Sequence, residues 1–102
     1  MTQTGQTIAD QIGTIAFAML GARNIVSAGK ELHFAIKKTA RGINRVVVRL
    51  DADGTYTVKF WNVSRSNETY EREFKKILKI SMVSADTMRR VIENGTGVYL
   101  SA

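Results

Sequence analysis

Five of the cationic and aromatic side chains of this 102-residue chain are candidates for binding an anion, and all five stand at odd-numbered positions: Lys37, Arg45, Arg49, Lys59 and Trp61. Guanidinium and ammonium groups bind phosphate oxygens through charge-assisted hydrogen bonds. An indole ring can stack on a guanidinium or on an unstacked base. These residue types predict an anion-binding surface if one face of a sheet carries all five. The alternative is a solvated sheet face on which a loop or a second copy half covers Trp61.

The sequence offers little chemistry for catalysis or metal binding. It has no cysteine, which excludes thiol catalysis and cysteine-ligated zinc, and its one histidine, His33, has no carboxylate at ligand spacing. Asp51-Ala52-Asp53-Gly54 starts like a calcium loop but lacks the later ligands, so it predicts a hairpin turn. His33 has no evident nucleophile partner and is interpreted as a surface residue. We therefore expect a non-enzymatic protein with no cofactor and no metal.

Apolar residues at helical spacing predict a helix near the N-terminus. Residues 1–6 are polar and are expected to be disordered. Thr7 is the predicted N-cap and Gly21 the predicted C-terminal cap residue, while Gly13 weakens the interior by roughly 1 kcal/mol relative to alanine. The apolar stripe consists of Ile8, Ile12, Ile15, Ala16 and Met19.

The next part of the chain alternates between apolar and polar residues. The pattern predicts a short strand at residues 24–26 and longer strands within residues 31–38, 43–51 and 55–63. A period of two with one apolar face is typical of a half-buried antiparallel sheet. The predicted core positions are all even-numbered: Leu32, Phe34, Ile36, Val46, Val48, Leu50, Tyr56, Val58 and Phe60.

The turns between these strands predict their register. Because the predicted core positions are all even-numbered, two core residues that lie opposite each other have residue numbers with an even sum. Loops of three residues, at 40–42 and 52–54, give pairings with an even sum, whereas loops of two residues would not. Gly54 then takes the left-handed position of its loop. Leu32 is expected opposite Leu50, and Leu50 opposite Tyr56. On the other face the predicted rows are Lys37 with Arg45 and Trp61, Ala35 with Val47 and Lys59, and His33 with Arg49 and Thr57.

Residues 69–80 fit either a strand or a helix, and the turn expected from Arg65 to Glu68 favours a strand. A second helix is predicted from an N-cap at Ser84 to Gly95, with Met88, Val91 and Ile92 facing inward. The predicted fold class is α+β: an N-terminal helix, an antiparallel meander of three to five strands and a C-terminal helix, with both helices on the even-numbered face. Residues 7–102 form one domain.

The positive charge is concentrated in one quarter of the chain. The formal net charge is +6, and residues 23–49 contain seven basic residues against one acid, Glu31. A concentrated excess favours a positive patch and an anionic partner. The longest apolar stretch, residues 8–20, is shorter than a membrane span and is not preceded by a basic signal region. We therefore expect no membrane association and a cytoplasmic location.

Three short segments carry a resemblance to known proteins. They are Leu20-Gly21-Ala22-Arg23-Asn24-Ile25-Val26, Gly42-Ile43-Asn44-Arg45-Val46 and Thr96-Gly97-Val98-Tyr99-Leu100. The chain resembles a family of small uncharacterised proteins of bacteriophages and bacterial mobile elements. That resemblance implies a bacterial cytoplasm and an accessory role, and such accessory proteins often bind nucleic acid or block a host protein.

Three functions remain open at this point. The leading hypothesis is a non-enzymatic protein whose basic sheet face contacts DNA or RNA. The second is a protein-binding inhibitor or adaptor that acts on an acidic host surface, of an anti-defence type, and the third is a homo-oligomeric structural protein. The element order is similar to that of double-stranded-RNA-binding domains, but the second helix begins with Ser84-Ala85-Asp86, and its acid would repel phosphate.

Overall fold

The computed structural model describes residues 2–65, 71–98 and 100. In these ranges, three helices and one five-stranded antiparallel sheet form a fold of the predicted α+β class. The strands follow one another in the sheet in chain order, so the meander is complete. The turn expected from Arg65 to Glu68 falls largely outside the described residues. The elements are α1 (Gln3–Ile12), α2 (Thr14–Leu20), β1 (Arg23–Ala28), β2 (Glu31–Ala35), β3 (Arg45–Leu50), β4 (Tyr56–Arg65), β5 (Arg72–Val83) and α3 (Met88–Thr96).

The N-terminal helical region differs from the prediction in two ways. Gly13 divides it into α1 and α2, because its φ of 89° and ψ of 151° lie in a region that only glycine adopts readily. The helix also begins earlier than the predicted cap at Thr7. Thr2 is the N-cap, and its side chain accepts a hydrogen bond from the Gly5 N–H at 3.0 Å. Residues 3–6, expected to be disordered, are therefore helical.

Contacts with β1 explain why the N-terminus is ordered. The Thr2 N–H donates to the Ser27 hydroxyl at 2.7 Å, and the Thr2 hydroxyl donates to the Gly29 carbonyl at 3.0 Å. Gly5 is buried against Ser27. These long-range bonds could not be read from the polar composition of the first six residues.

All three helices pack on the even-numbered face of the sheet, as predicted. Phe34 and Phe60 are its largest buried side chains, and Phe17 of α2 meets Phe34 edge to face at 5.1 Å. Full burial of such a side chain contributes about 1.5–3 kcal/mol. The other face of the sheet, here called the outer face, bears the odd-numbered residues of β2, β3 and β4. The core combines residues from both layers: Ile8, Ile12, Ala16, Leu20, Leu32, Phe34, Val46, Val48, Val58, Phe60, Met88 and Ile92.

The register of β3 with β4 matches the prediction, and that of β2 with β3 does not. Leu50 lies opposite Tyr56, and the loop at residues 52–54 places Gly54 at a φ of 86°. Thr55 donates from its backbone and its hydroxyl to the Asp53 carboxylate, which holds the pKa of Asp53 below its usual value. Between β2 and β3, however, Leu32 faces Val48 instead of Leu50.

Two extra residues before the turn between β2 and β3 explain this shift. Ile36 donates to the Asn44 carbonyl, and the next backbone bond runs from Thr39 to Ile43, so Lys37 and Lys38 have no partners in β3. The Lys37 N–H instead donates to the Leu20 carbonyl at the end of α2. A shift of two residues leaves the side chains of β2 itself on their predicted faces. The apolar pattern is therefore unchanged by this irregularity.

The C-terminal helix starts and ends later than predicted. Ser84 belongs to a preceding turn, where its carbonyl accepts from the Thr87 N–H, and the helix begins at Met88. Its C-terminal cap residue is Gly97, with a φ of 77°, instead of Gly95. Gly95 lies inside the helix, where a Cβ would lie 2.4 Å from the Phe60 ring, so this position has no room for a side chain.

Candidate functional site

One row of residues crosses the outer face from the first strand to the last. Its members are directly opposed from strand to strand: Arg23, Ala35, Arg45, Trp61 and Lys76. Directly opposed residues of antiparallel strands share a face. With strands about 4.8 Å apart, the row is roughly 19 Å long. Three cations and the indole are thus aligned on one surface.

A second row runs beside it and contains an unfavourable pair. Here His33 opposes Val47, Val47 opposes Lys59, and Lys59 opposes Lys79. Like charges directly across a strand pair destabilise a sheet. Val47, which lies between the longer side chains of His33 and Lys59 in this row, is only 6% exposed.

Four of the five predicted site residues lie on the outer face. Arg45, Lys59 and Trp61 are half-buried members of the two rows, and Arg49 opposes Thr57. Arg49 is partly neutralised, because its Nε lies 3.3 Å from Asp51 Oδ1 and Glu31 opposes it on β2.

The fifth predicted residue, Lys37, does not belong to the row. Ala35 occupies the place opposite Arg45 that was predicted for Lys37. Lys37 lies beyond the end of β2, where it is exposed beside Gly21 at the C-terminus of α2. Lys37 and Arg45 are therefore not opposed across the strand pair.

Arg45 lies between two shallow grooves of the outer face. One groove, of about 280 Å³, is lined by three guanidinium groups and no carboxylate; Asn24, Asn44 and Ser64 add polar side chains to Arg23, Arg45 and Arg72. The other, of about 200 Å³, is lined by Trp61 and Phe74 together with Val47, Lys59, His33 and Glu31. The first groove suits an oxyanion, and the second offers aromatic and aliphatic surface with one acid at its margin.

Several residues of this surface were not predicted from the sequence. Arg72, Phe74, Lys76 and Lys79 all reach it from β5. Ile77 has no partner on β4, because Phe60 pairs with Leu78 and Trp61 with Lys76. This bulge explains why Arg72, Phe74 and Lys76 lie on the outer face before Ile77, whereas the odd-numbered Lys79 lies on it after Ile77. Only a strand pairing known in advance would have revealed them.

Asn44 fixes the end of the hairpin that presents the aromatic groove. Its amide nitrogen donates to the Val63 carbonyl at 2.8 Å, and its amide oxygen accepts from the Val63 N–H at 2.8 Å. Asn62 in turn donates to the Gly42 carbonyl. Asn62 and Val63, which follow Trp61 in β4, are thereby held against the turn between β2 and β3.

Two other arginines stabilise helix ends. Arg41 donates to the Asn94 carbonyl, and to the Gly95 carbonyl at 3.1 Å, in the last turn of α3. Arg89 donates from Nε to the Ile12 carbonyl at the end of α1, at 3.1 Å. Cations at helix C-termini satisfy free carbonyls and oppose the negative end of the helix dipole. Part of the basic excess therefore serves the fold.

Replacing Arg41 is expected to lower stability without affecting the outer face. Arg41→Ala removes both bonds to the end of α3 and is expected to lower the free energy of unfolding by about 1–2 kcal/mol. Urea denaturation measures this change as a lower midpoint with an unchanged slope. Lys38→Ala, at an exposed position of the same segment, is the control and should change the midpoint little. Equal midpoints for the two variants would refute the capping role.

His33 is half-buried on the outer face and lies 3.3 Å from Glu31 Oε1. Across the described ranges, no group of three or more histidine or acidic side chains is placed to hold a metal ion. Within the same ranges, no helix has the length and apolar character that crossing a membrane requires.

Comparison with protein-family models, with curated proteins and with solved structures finds no match to this chain. The resemblance to small proteins of bacteriophages and mobile elements therefore stays a prediction.

Proposed function

We propose that this chain is a small, basic, non-enzymatic protein that binds nucleic acid through the outer face of its sheet. The observation that carries the proposal is the row formed by Arg23, Arg45, Trp61 and Lys76, which crosses the side of the sheet opposite the helices. Phosphate contacts supply most of the sequence-independent affinity of proteins for nucleic acid.

The cations of the outer face support this proposal. The strand register and the residues that line the grooves show six cations on the outer face. None of the six forms an ion pair with a described residue. Lys59 and Lys79 face each other directly, so a bound anion would relieve their repulsion. The six are Arg23, Arg45, Lys59, Arg72, Lys76 and Lys79.

Salt dependence provides the first test. If three to six phosphates are neutralised, the logarithm of the binding constant for duplex DNA should fall with the logarithm of salt concentration at a slope of about −3 to −5. Fluorescence anisotropy of labelled DNA and RNA measures this slope. A binding constant that does not change with salt would contradict phosphate binding by these side chains.

A protein-binding adaptor that recognises an acidic host surface is the second candidate. Exposed apolar side chains beside the cations favour it, since Val26 is 56% and Phe74 57% exposed. Pull-down from nuclease-treated bacterial lysate separates the two candidates. A stoichiometric protein partner that the wild type retains and Arg45→Glu loses would favour the adaptor. In either case we propose action in a bacterial cytoplasm, in an accessory role for a mobile element.

Self-association of the chain is the third candidate, and it would make the protein a homo-oligomeric structural protein. It predicts that Trp61, half-buried in the single chain, becomes covered on assembly. Light scattering combined with Trp61 emission would test it, and a monomer mass would count against it.

A further inference from the structure

The aromatic residues of the outer face indicate which form of nucleic acid it suits. Trp61 stands between Arg45 and Lys76 in the central row, and Phe74 lies on β5 opposite Val63, diagonally from Trp61. Diagonal neighbours on a sheet are about 7–8 Å apart. Both rings line the groove of about 200 Å³. The ring pair found among the described residues is Phe17 with Phe34 in the core, so neither groove ring is engaged with another described ring.

We propose that the outer face prefers single-stranded DNA or RNA to a duplex, an inference that rests on the proposed function. The bases of a duplex are stacked on one another, so a duplex would offer this surface little beyond its phosphates. A single strand also exposes the faces of its bases, and these stack on aromatic side chains whatever the sequence. A single strand can therefore contact both the aromatic rings and the cations of this surface, whereas a duplex can contact mainly the cations.

The spacing of the central row agrees with this substrate class. Arg45 and Lys76 flank Trp61 at one strand spacing each, so their backbones are about 10 Å apart with the indole between them. A nucleotide within a strand has a base with a phosphate on either side. The row thus combines a stacking surface with a cation on each flank. The groove lined by Arg23, Arg45 and Arg72 adds an anion site beside it.

Competition between strand forms tests the preference. The probes are a fluorescein-labelled oligonucleotide of about 12 nucleotides, within the range covered by small single-strand-binding domains, and its duplex. At about 0.05 M salt the single strand should bind at least about tenfold more tightly than the duplex. Trp61 is the only tryptophan of the chain, so its emission should be quenched by the single strand and should report stacking directly.

The matched variants are Trp61→Ala and Trp61→Phe. Loss of one stacked base corresponds to about fivefold to 150-fold in affinity, so Trp61→Ala should lose that factor for the single strand and stay within about twofold for the duplex. Trp61→Phe keeps a ring and should retain most of the affinity. Circular dichroism and thermal unfolding identify a variant that fails to fold, and the emission of the wild type tests the proposal without any substitution.

The possible failures of the two proposals are distinguishable. Equal or tighter binding of the duplex, with no effect of Trp61→Ala, would overturn the single-strand preference and leave the proposed function standing. No binding of either form at low salt would overturn both.

Discussion

Arg45→Glu is expected to weaken binding to DNA and RNA by at least about tenfold, which corresponds to about 1.4 kcal/mol. Arg45 lies in the central row of the outer face and lines both the groove of three arginines and the groove that contains Trp61 and Phe74. The substitution removes a phosphate contact and adds a repelling carboxylate beside the remaining cations. Its salt slope should also be shallower by about one. Anisotropy titrations of wild type and variant measure both effects.

The control for this variant is Arg90→Glu, which changes the net charge by the same amount. Arg90 is exposed on α3, the helix that packs on the other side of the sheet. It should alter affinity by less than about threefold, because only long-range electrostatics would act. Equal losses for the two variants would show that net charge, and not the outer face, determines binding. An intact thermal transition is required of both.

Gly95→Ala is expected to destabilise the fold by about 2 kcal/mol. A Cβ at this position would lie 2.4 Å from Phe60 Cζ and within 3.0 Å of two more ring atoms. Overpacking of a core costs up to about 3 kcal/mol, and the better helix propensity of alanine returns about 1 kcal/mol. For a domain of this size, the melting temperature should fall by roughly 10 °C.

A second substitution separates steric conflict from other causes. Phe60→Leu removes the ring that meets the new methyl group, so it should be less harmful in the Gly95→Ala background than in the wild type. A double-mutant cycle followed by thermal unfolding gives the coupling directly. If the two losses simply add, close packing of Phe60 on Gly95 does not explain the cost.

The face of the sheet on which each side chain lies was easier to predict from the sequence than the register between neighbouring strands. The alternation of Leu32 and Phe34 with polar neighbours indicates the buried face, and the loop ending at Gly54 determines the register of β3 with β4. Lys37 and Lys38 have no partners in β3, and they shift the pairing of β2 with β3 by two positions. Because that shift preserves the alternation, the hydrophobic pattern cannot reveal it.

The same limit applies to the candidate site and to the helices. The alternation of residues was enough to place Arg45, Lys59 and Trp61 on one surface, because β3 and β4 pair without irregularity there. The residues of β5 were missed, since the bulge at Ile77 changes which positions face outward. Gly13 was interpreted as a weak point of one helix, although its backbone conformation ends that helix. Such local backbone departures depend on tertiary contacts that composition and periodicity do not encode.

Chemical-shift mapping with a single-stranded oligonucleotide tests most directly whether the outer face is the binding surface. In the isotope-labelled protein, the side-chain N–H of Trp61 gives a single indole signal that serves as a marker of this face. The expected result is a set of shifts confined to that signal and to β3, β4 and β5 around Arg45 and Phe74, with α1 and α3 unchanged. Shifts that cluster on the helices, while the Trp61 signal stays in place, would contradict binding by the outer face.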